Sequence, residues 1–376
     1  MTAVDPAGSA RTGPLAGLTV VELAGIGPAP YGVMLLADLG ADVIRVDRPG
    51  GHAGNPVPPE LDLLNRNRRS IELDLKNAEH RDVVLALVRR ADVLVEGFRP
   101  GVAERLGLGP AVCLEVNPAL VYGRMTGWGQ TGPLAGRPGH DINFIAIAGA
   151  LDPIGTAESG PVVPLNLLGD FGGGGTFLAL GVLAAVLHAR ATGEGQVVDA
   201  SVLDGTASLT TMLHAHRSAG MWNDARESNL LDGGAHFYRV YETADGRHLS
   251  VGAIEPQFYE QFVTLLGEQY AGDWARSHRD PALWPRMTER VAAIVASRTL
   301  AEWTAIFDGT DACVQPVLSG QEAVRHPHNV ARDTFVQVGG RTQPAPAPRF
   351  SVTPAGLPRR QPRPGADTDE ILRDLG

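Results

Sequence analysis

The sequence predicts an α/β protein with a doubly wound, Rossmann-like parallel sheet and a second, smaller α+β domain. Short runs of β-branched residues alternate with amphipathic segments from residue 18 onward, which is typical of βαβ units. A hairpin signal near residue 240 marks a change to antiparallel structure. At 376 residues the chain is also too long for one small core, which favours two domains.

The first half of the chain supplies the predicted parallel sheet. Strands are predicted over residues 18–23, 42–46, 92–96 and 120–125, and the helices between them over residues 30–39 and 82–90. Residues 176–188 are apolar on nearly every face, so this helix is predicted to be buried.

The second half begins with a hairpin whose strands, residues 238–243 and 248–252, flank the turn Ala244-Asp245-Gly246-Arg247. Helices are predicted over residues 256–266, 284–296 and 300–307. The proline-rich tail is expected to run extended over the body and to end in a helix at residues 367–374. The expected divisions are a disordered N-terminus (1–14), the large domain (15–200), a linker (201–231), the small α+β domain (232–318) and a return segment that completes the large domain (319–376).

Composition and charge exclude several classes of protein. The chain is 44% hydrophobic and 20% charged, which is ordinary for a globular protein. A formal net charge of -10 disfavours nucleic-acid binding, which needs a basic face. The two cysteines, Cys113 and Cys313, lie in apolar stretches and are expected to be buried thiols in a reducing cytoplasm.

Targeting signals are weak in this sequence. No stretch approaches the roughly 20 apolar residues needed to cross a bilayer. Residues 1–14 lack the apolar core of a signal peptide. We therefore expect a cytoplasmic protein with no membrane partner.

The first predicted strand ends in Ala24-Gly25-Ile26-Gly27, and Asp47 closes the next strand, which imitates a dinucleotide-binding fingerprint. Two prolines, Pro28 and Pro30, remove N–H donors where a pyrophosphate would need them, and the third glycine is missing. A tight turn for close packing is the favoured interpretation.

An acid followed by glycines stands before the predicted buried helix, in Gly169-Asp170-Phe171-Gly172-Gly173-Gly174-Gly175. Glycines let a ligand approach the backbone, and free N–H groups with a helix dipole of about +0.5 charge favour a developing anion. The alternative is that Asp170 caps the helix on a tight turn.

Two further candidates carry titratable side chains. His140 follows a Gly/Pro-rich loop and directly precedes Asp141, which predicts that its imidazole gains and loses a proton near neutral pH. Glu255 precedes Pro256 and either caps the next helix or orients a histidine. Histidines 214, 216, 326 and 328 lack a third ligand at suitable spacing, so no metal site is expected.

With these residues in place, the chain resembles the family III CoA-transferases, and within them their racemase branch. The likeness runs from about residue 15 to the end of the chain. It is carried by the motifs LTVVELAGIGPAP, LGADVIRVDRPG, EGFRPGV, RMTGWGQTGP, GHDINF, PLNLLGDFGGG, LDGGAHFY, VGAIEPQFY and FDGTDACVQPVL.

The resemblance implies an activity and a set of catalytic residues. In the transferase branch the aspartate matching Asp170 is the acyl-accepting nucleophile, and the residue matching His140 is usually Tyr or Phe. The racemase branch has histidine there, with a glutamate matching Glu255 close to it. The resemblance therefore implies inversion of (2R)- and (2S)-2-methylacyl-CoA by two bases, His140 and Asp170, as part of fatty acid and lipid metabolism. CoA transfer through Asp170 is the alternative, and a non-catalytic CoA-binding protein is a third possibility.

The resemblance also implies that the large domain binds CoA along the carboxyl edge of the sheet, where ligands of open α/β sheets bind. Four cations are expected near its phosphates: Arg48, Lys76, Arg99 and Arg105. The segment Leu73, Asp74 and Leu75 is expected to border the adenine. The other expected substrate contacts are Gly97, Phe98, Gly139, Asp141, Ile142, Asn143, Phe144, Gly169, Phe171, Gly172, Gly173 and Gly174.

Further expectations come from the resemblance. CoA enters as part of the substrate, so no separate cofactor is expected. The family forms an interlocked homodimer in which the small domain of one chain completes the site of the other, so Glu255 would act in trans. Racemase-like sequences commonly have Pro where this chain has His236, which bears on the acyl chain accepted: a methyl-branched fatty acid, a sterol side chain or an arylpropionate.

Overall fold

A computed structural model describes residues 12–51 and 57–376. Most of the predicted disordered N-terminus, residues 1–14, lies outside the described residues. The chain divides into two units: Met1–Ala148, Pro164–Leu209 and Pro327–Gly376 form the first, and Gly149–Val163 and Thr210–His326 form the second.

This division differs from the expected boundaries in three places. Residues 149–163 fall in the second unit rather than the large domain, and the expected linker is split at residue 209. Residues 319–326, expected in the return segment, also fall in the second unit. Local contacts explain the first difference: Asp152 pairs with Arg226 at 2.5 Å, and the Ala157 N–H donates to Glu227. The linker is largely helical, because two short helices cover residues 202–218 with a break at Thr210.

The strands follow the chain in this order: β1 Thr19–Leu23, β2 Asp42–Asp47, β3 Arg68–Glu72, β4 Val93–Glu96, β5 Val121–Thr126, β6 Gly155–Thr156, β7 Gly160–Pro161, β8 Gln196–Ser201, β9 Tyr238–Glu242, β10 His248–Gly252, β11 Val314–Pro316, β12 Phe335–Val338 and β13 Arg341–Pro344.

The α-helices are α1 Pro28–Asp38, α2 Ala78–Arg90, α3 Val102–Arg105, α4 Pro110–Val116, α5 Asp141–Ile147, α6 Thr176–Thr192, α7 Val202–Leu209, α8 Thr211–Ser218, α9 Pro256–Leu265, α10 Asp273–Ser277, α11 Trp284–Val295, α12 Leu300–Phe307, α13 Gly320–Ala323, α14 Pro327–Ala331 and α15 Thr368–Leu375. Short 3₁₀ helices occupy Pro59–Leu61, Leu63–Asn65 and Pro281–Leu283. A π-helix, Leu167–Gly175, runs directly into α6.

The first unit contains a six-stranded sheet in the order β3-β2-β1-β4-β5-β8, and all five strand pairs are parallel. This confirms the predicted doubly wound architecture. The direction of winding reverses between β1 and β4, so the carboxyl ends of these two strands form the crevice where ligands of such sheets bind. Strands β3 and β8 were not predicted, because β3 carries two arginines and β8 is partly exposed.

Alternate residues of β1 point to opposite faces of the sheet and enter two cores. On one face, Val20 packs with residues of α1 and α6, including Val33 and Val182. On the other face, Val21 and Leu23 pack with residues of α2 and with Ile371 of α15. The C-terminal helix thus closes the second face, and an Asp367 carboxylate oxygen accepts the Ser70 N–H at 2.7 Å.

Helix α6 is not buried on every side as predicted. Leu178 and Val182 are fully buried, but Leu180 and Leu187 on the opposite side are 62% and 72% exposed. Together with the π-helix it forms one stretch, Leu167–Thr192, that is long and apolar enough to span a membrane by length and composition. The sequence expectation missed this stretch. Core helices that pack against a sheet, as α6 does here, pass the same test.

The second unit is an α+β structure. Its sheet has the order β11-β10-β9 and is antiparallel, and the predicted hairpin of β9 and β10 is confirmed. Side chains from α9, α11 and α12 build its core, with Phe262, Val291 and Trp303 fully buried. Cys113 is buried as expected, but Cys313 is exposed, at a backbone φ of 53° beside β11.

The tail contains an unpredicted hairpin, β12 and β13, between residues 335 and 344. Its final helix, α15, matches the predicted one to within a residue at each end.

Close packing around the π-helix explains its glycines. A methyl group added to Gly173 would lie 2.4 Å from Thr206 Oγ1 and 2.6 Å from the Thr206 nitrogen. One added to Gly175 would lie 2.6 Å from the Pro28 oxygen. Helices α1 and α7 therefore approach the π-helix at backbone distance.

We expect Gly173→Ala to lower the free energy of unfolding by about 1–3 kcal/mol, because the added methyl group must displace the backbone of α7. Denaturant-induced unfolding measures the change. Gly172→Ala is the matched control, since its methyl group would meet its nearest neighbour, the Leu167 oxygen of the same helix, at 3.1 Å. Equal losses in the two variants would contradict the packing argument.

Candidate active site

The loop after β5 delivers His140 to the start of α5. His140 occupies the N-cap position, and its N–H donates to Asn143 Oδ1 at 3.0 Å. On the His140 side this bond uses the main-chain N–H, and the imidazole is exposed. The sequence GHDINF thus builds a helix start that presents a histidine.

Asp170 lies in the first turn of the π-helix. The sequence had suggested that it stands before a helix. In a π-helix each N–H donates to the carbonyl five residues earlier. The Phe171 N–H already follows this pattern and donates to the Asn166 oxygen at 3.3 Å. The N–H groups of the glycines after it are therefore used within the helix. The expectation that these glycines offer free donors to an anion is wrong.

Asp141 connects the two segments. It is 7% exposed, and its Oδ2 accepts the Asp170 N–H at 2.6 Å. Gly169 makes this approach possible, because a methyl group there would lie 2.4 Å from the same oxygen. Asp141 was predicted as a substrate contact, which stays a prediction; in the structure its Oδ2 holds the backbone of Asp170.

The environment of Asp170 raises the pKa of its carboxyl group to about 6. Burial is the largest cause and the negative charge of Asp141 is the second, while a hydrogen bond from Asn166 and the charge of His140 act in the opposite direction. A carboxyl group with this pKa can both accept and donate a proton near neutral pH.

His140 and Asp170 line one cavity of about 320 Å³ at the carboxyl edge of the sheet. The loop after β1 contributes Gly27, whose position would bring an added methyl group 3.3 Å from Asp170 Oδ2. The cavity is otherwise lined by Ile26, Pro28, Ala29, Gly97, Phe98, Arg99, Pro100, Met125, Thr126, Gly127, Trp128, Ala135, Arg137, Pro138, Gly139, Phe144 and Val202.

A second cavity of about 180 Å³ lies along the same edge and shares Phe98 with the first. Its lining comes from the loops after β1, β2, β3 and β4, and consists of Ala24, Val46, Arg48, Leu73, Asp74, Leu75, Lys76, Phe98 and Leu106. Six residues expected to contact CoA are thereby brought together.

The other expected contacts are divided. Gly97, Arg99, Gly139 and Phe144 line the first cavity, whereas Arg105, at the end of α3, lines neither of the two. Phe171 stacks on Tyr31 with ring centroids 4.3 Å apart. Gly169, Gly173 and Gly174 are in close contact with other residues of the first unit. Ile142, Asn143 and Gly172 line neither cavity.

Glu255 belongs to the second unit, so its pairing with His140 stays a prediction. It occupies the N-cap position of α9 with Pro256 as first helical residue, yet its side chain makes no capping hydrogen bond. The carboxylate is exposed. Capping therefore does not account for its side chain.

His236 is a core residue of the second unit. It is fully buried, and its Nε2 lies 2.7 Å from the Tyr259 hydroxyl. Burial, with a smaller effect from His278, lowers the pKa of His236 to about 3, so the ring is neutral at pH 7.

Sequence reasoning missed two side chains of the site. Asn166 hydrogen-bonds the Asp170 carboxylate, and Arg137 lines the cavity with both candidate bases. Asn166 belongs to the motif PLNLLGDFGGG, four residues before Asp170. Arg137 stands just before the motif GHDINF, three residues before His140. Among the described residues, no group of three or more His, Cys, Asp or Glu side chains could hold a metal.

The fold and site define an α/β enzyme-like protein in which a histidine and an aspartate line one cavity at the switch point of its sheet. A family model described as CoA-transferase family III matches residues 15–368. The chain belongs to this family.

Three individual comparisons refine the picture. The chain is 46% identical over 365 residues to an α-methylacyl-CoA racemase from Mus musculus, covering 96% of this chain and 93% of that protein. It is 45% identical to the Homo sapiens α-methylacyl-CoA racemase, with the same coverage. A solved CaiB/BaiF family protein from Brucella suis superimposes with a TM-score of 0.84 at 25% identity, covering 97% of this chain and all of that one (100%).

We expect Asp141→Asn to lower the pKa of the Asp170 carboxyl group from about 6, because the neighbouring negative charge that disfavours its ionised form is removed. Burial remains, so the value should stay above that of an exposed aspartate. A ¹³C NMR titration of labelled aspartate, assigned with Asp170→Asn, measures it. Asp369→Asn, at an exposed position on α15, is the control. An unchanged or higher midpoint in Asp141→Asn would contradict the electrostatic coupling.

Proposed function

We propose that the protein is an isomerase that interconverts (2R)- and (2S)-2-methylacyl-CoA thioesters. One observation carries the proposal: His140 and Asp170 line the same cavity, at the edge where an open α/β sheet binds its ligands. The racemase relatives at 45–46% identity support it.

Inversion of a carbon centre by proton transfer requires one base on each face of the carbon. One of the pair removes the α-proton as a base, and the other, already protonated, delivers a proton to the opposite face. The C–H electron pair passes into the thioester carbonyl to give an enolate and returns when the new C–H bond forms. His140 and Asp170 exchange these roles between the two directions.

The enolate needs stabilisation beyond the two bases, which typically contribute about 10²–10⁴-fold. Since the glycine N–H groups are used inside the π-helix, the positive end of the helix dipole near Asp170 is the better source. Arg99 and Arg137 add positive charge to the cavity wall.

We propose that the second cavity holds the nucleotide part of CoA. Its wall combines apolar side chains, Leu73, Leu75 and Phe98, with two cations, Arg48 and Lys76. Apolar surface suits adenine, and the cations suit phosphates. Phe98 lines both this cavity and the one that holds the bases, so the two adjoin, and the pantetheine arm would extend from one to the other.

We also propose a homodimer in which Glu255 of one chain orients His140 of the other. The exposed apolar side of α6, with Leu180 and Leu187, supports an interface that a single chain leaves uncovered. A cytoplasmic enzyme of lipid metabolism that needs no cofactor beyond the CoA of its substrate fits this proposal.

CoA transfer between carboxylic acids is the second candidate, favoured by the family model and by Asp170. In that reaction the Asp170 carboxylate attacks an acyl thioester and becomes covalently linked. The raised pKa of Asp170 suits proton exchange, because a carboxyl group with a pKa near neutral can act as acid and as base.

The first test incubates one epimer of a 2-methylacyl-CoA in deuterium oxide. We expect wild type to yield both epimers with deuterium at the α-carbon. His140→Ala and Asp170→Asn should each lose at least about 10²-fold in epimerisation, while the remaining base can still exchange the proton on its own face.

The same experiment separates the candidates. A covalent Asp170 adduct trapped by hydroxylamine, without α-deuteration, would establish transfer instead. Full epimerisation by His140→Ala would overturn the two-base mechanism.

The second test concerns the nucleotide part of CoA. We expect Lys76→Ala and Arg48→Ala to raise KM for acyl-CoA while leaving KM for the matching acyl-pantetheine unchanged, because the pantetheine ester lacks the nucleotide phosphates. Steady-state epimerisation rates measure both. Arg89→Ala, exposed at the end of α2, is the control. Equal increases for both esters would contradict this assignment.

A further inference from the structure

A group of buried charges lies beneath the start of α1. Glu22, Arg45 and Arg68 come from the neighbouring strands β1, β2 and β3, and they are 0%, 4% and 5% exposed. They share the face of the sheet that elsewhere carries valines such as Val20 and Val43.

The two arginines bind Glu22 and also one carbonyl oxygen of the β1–α1 connection, at Gly25, and one of the first turn of α1, at Pro30. Arg68 donates to Glu22 Oε2 at 2.5 Å and to the Pro30 oxygen at 2.7 Å. Arg45 donates to Glu22 Oε1 at 3.1 Å and makes a long contact of 3.5 Å with the Gly25 oxygen. These contacts hold the connection on both sides of Gly27.

The same connection packs against the helix that carries Asp170. Gly27 faces the Asp170 carboxylate, and Tyr31 stacks on Phe171. The backbone of Pro28 is so close to Gly175 that no side chain fits between them. A displacement of the first turn of α1 would therefore move the π-helix, and Asp170 with it, through these direct contacts.

Stability alone does not explain charges at this place. A buried ion pair loses hydration, and well-packed apolar residues of similar volume often give equal or greater stability. Valine is used at neighbouring positions on this face. What an apolar residue cannot do is donate hydrogen bonds to backbone carbonyls, as Arg68 does to the Pro30 oxygen of α1 and to the Leu64 and Arg66 oxygens.

We propose that Glu22 and Arg68 form a positioning pair for Asp170: the glutamate orients the guanidinium, and the guanidinium fixes the turn that encloses the Asp170 carboxylate. This inference rests on the proposed function, because it assigns the pair to the same reaction.

The test compares Glu22→Gln, Arg68→Met and the double variant Glu22→Met/Arg68→Met, which restores an apolar face. We expect kcat for epimerisation to fall by about 10–100-fold in each, since small misplacements of catalytic groups cost this much. KM should change little, because the CoA cavity does not contain either residue. The double variant should regain thermal stability and not kcat.

A second readout does not depend on turnover. Burial, and after it the charge of Asp141, raises the pKa of Asp170 to about 6. Loosening the turn admits water, so its midpoint in a ¹³C NMR titration should fall in the variants.

Arg66→Met is the matched control. Arg66 is also buried, at 3% exposure, and pairs with Asp38 at 2.5 Å, but it binds the far end of α1 and the Pro344 oxygen. It should lower stability while leaving kcat and the Asp170 midpoint unchanged.

The proposal is overturned if the folded Glu22 and Arg68 variants keep the wild-type kcat and midpoint, or if Arg66→Met alters them equally. Absence of epimerisation by wild type would instead refute the proposed function, and the NMR midpoints would then decide the positioning role alone.

Discussion

The hydrogen bond from the Asp170 N–H to the Asp141 carboxylate is the contact on which the site depends. It joins two segments 29 residues apart in sequence, one presenting His140 and the other presenting Asp170. The bond is short, at 2.6 Å, and one partner is a buried charge, which makes it stronger than a neutral hydrogen bond. The same carboxylate that fixes the position of Asp170 also raises its pKa. Asp141 therefore acts on both the position and the protonation of Asp170, although burial is the largest cause of the raised pKa.

The parallel sheet determines where this contact falls. Every strand of a parallel sheet ends at the same edge, so the loops after β1, β4 and β5 converge there, with the π-helix beside them. Convergence alone would leave the segments too far apart to share a cavity. Backbone contacts at Gly169, Gly173 and Gly175 remove the space that side chains would occupy between the π-helix and its neighbours. The glycine run is thus a packing requirement of the site.

The sequence predicted the architecture well, because hydrophobic periodicity and β-branched runs report directly on burial. It missed β3, since the buried side of that strand carries Arg68 and not an apolar residue. It also assigned free donors to the glycines after Asp170, because no local pattern distinguishes a π-helix from an open turn. His140 and Asp170 were identified from their motifs, whereas the role of Asp141 required the three-dimensional contact. Exposure of Leu187 and Cys313 likewise could not be inferred, because both stand in apolar runs.

The surroundings of Asp170 bear on which of the two candidate reactions it would serve. A carboxylate that attacks a thioester should be ionised and open to the carbonyl carbon. Asp170 is half-buried and lies beside a second carboxylate, and both features favour a group that holds a proton part of the time. Proton exchange also needs a partner on the opposite side of the substrate, and His140 lines the same cavity. The pairing of a raised-pKa carboxyl group with an imidazole is what a reversible inversion requires, since each group must act as acid in one direction and as base in the other.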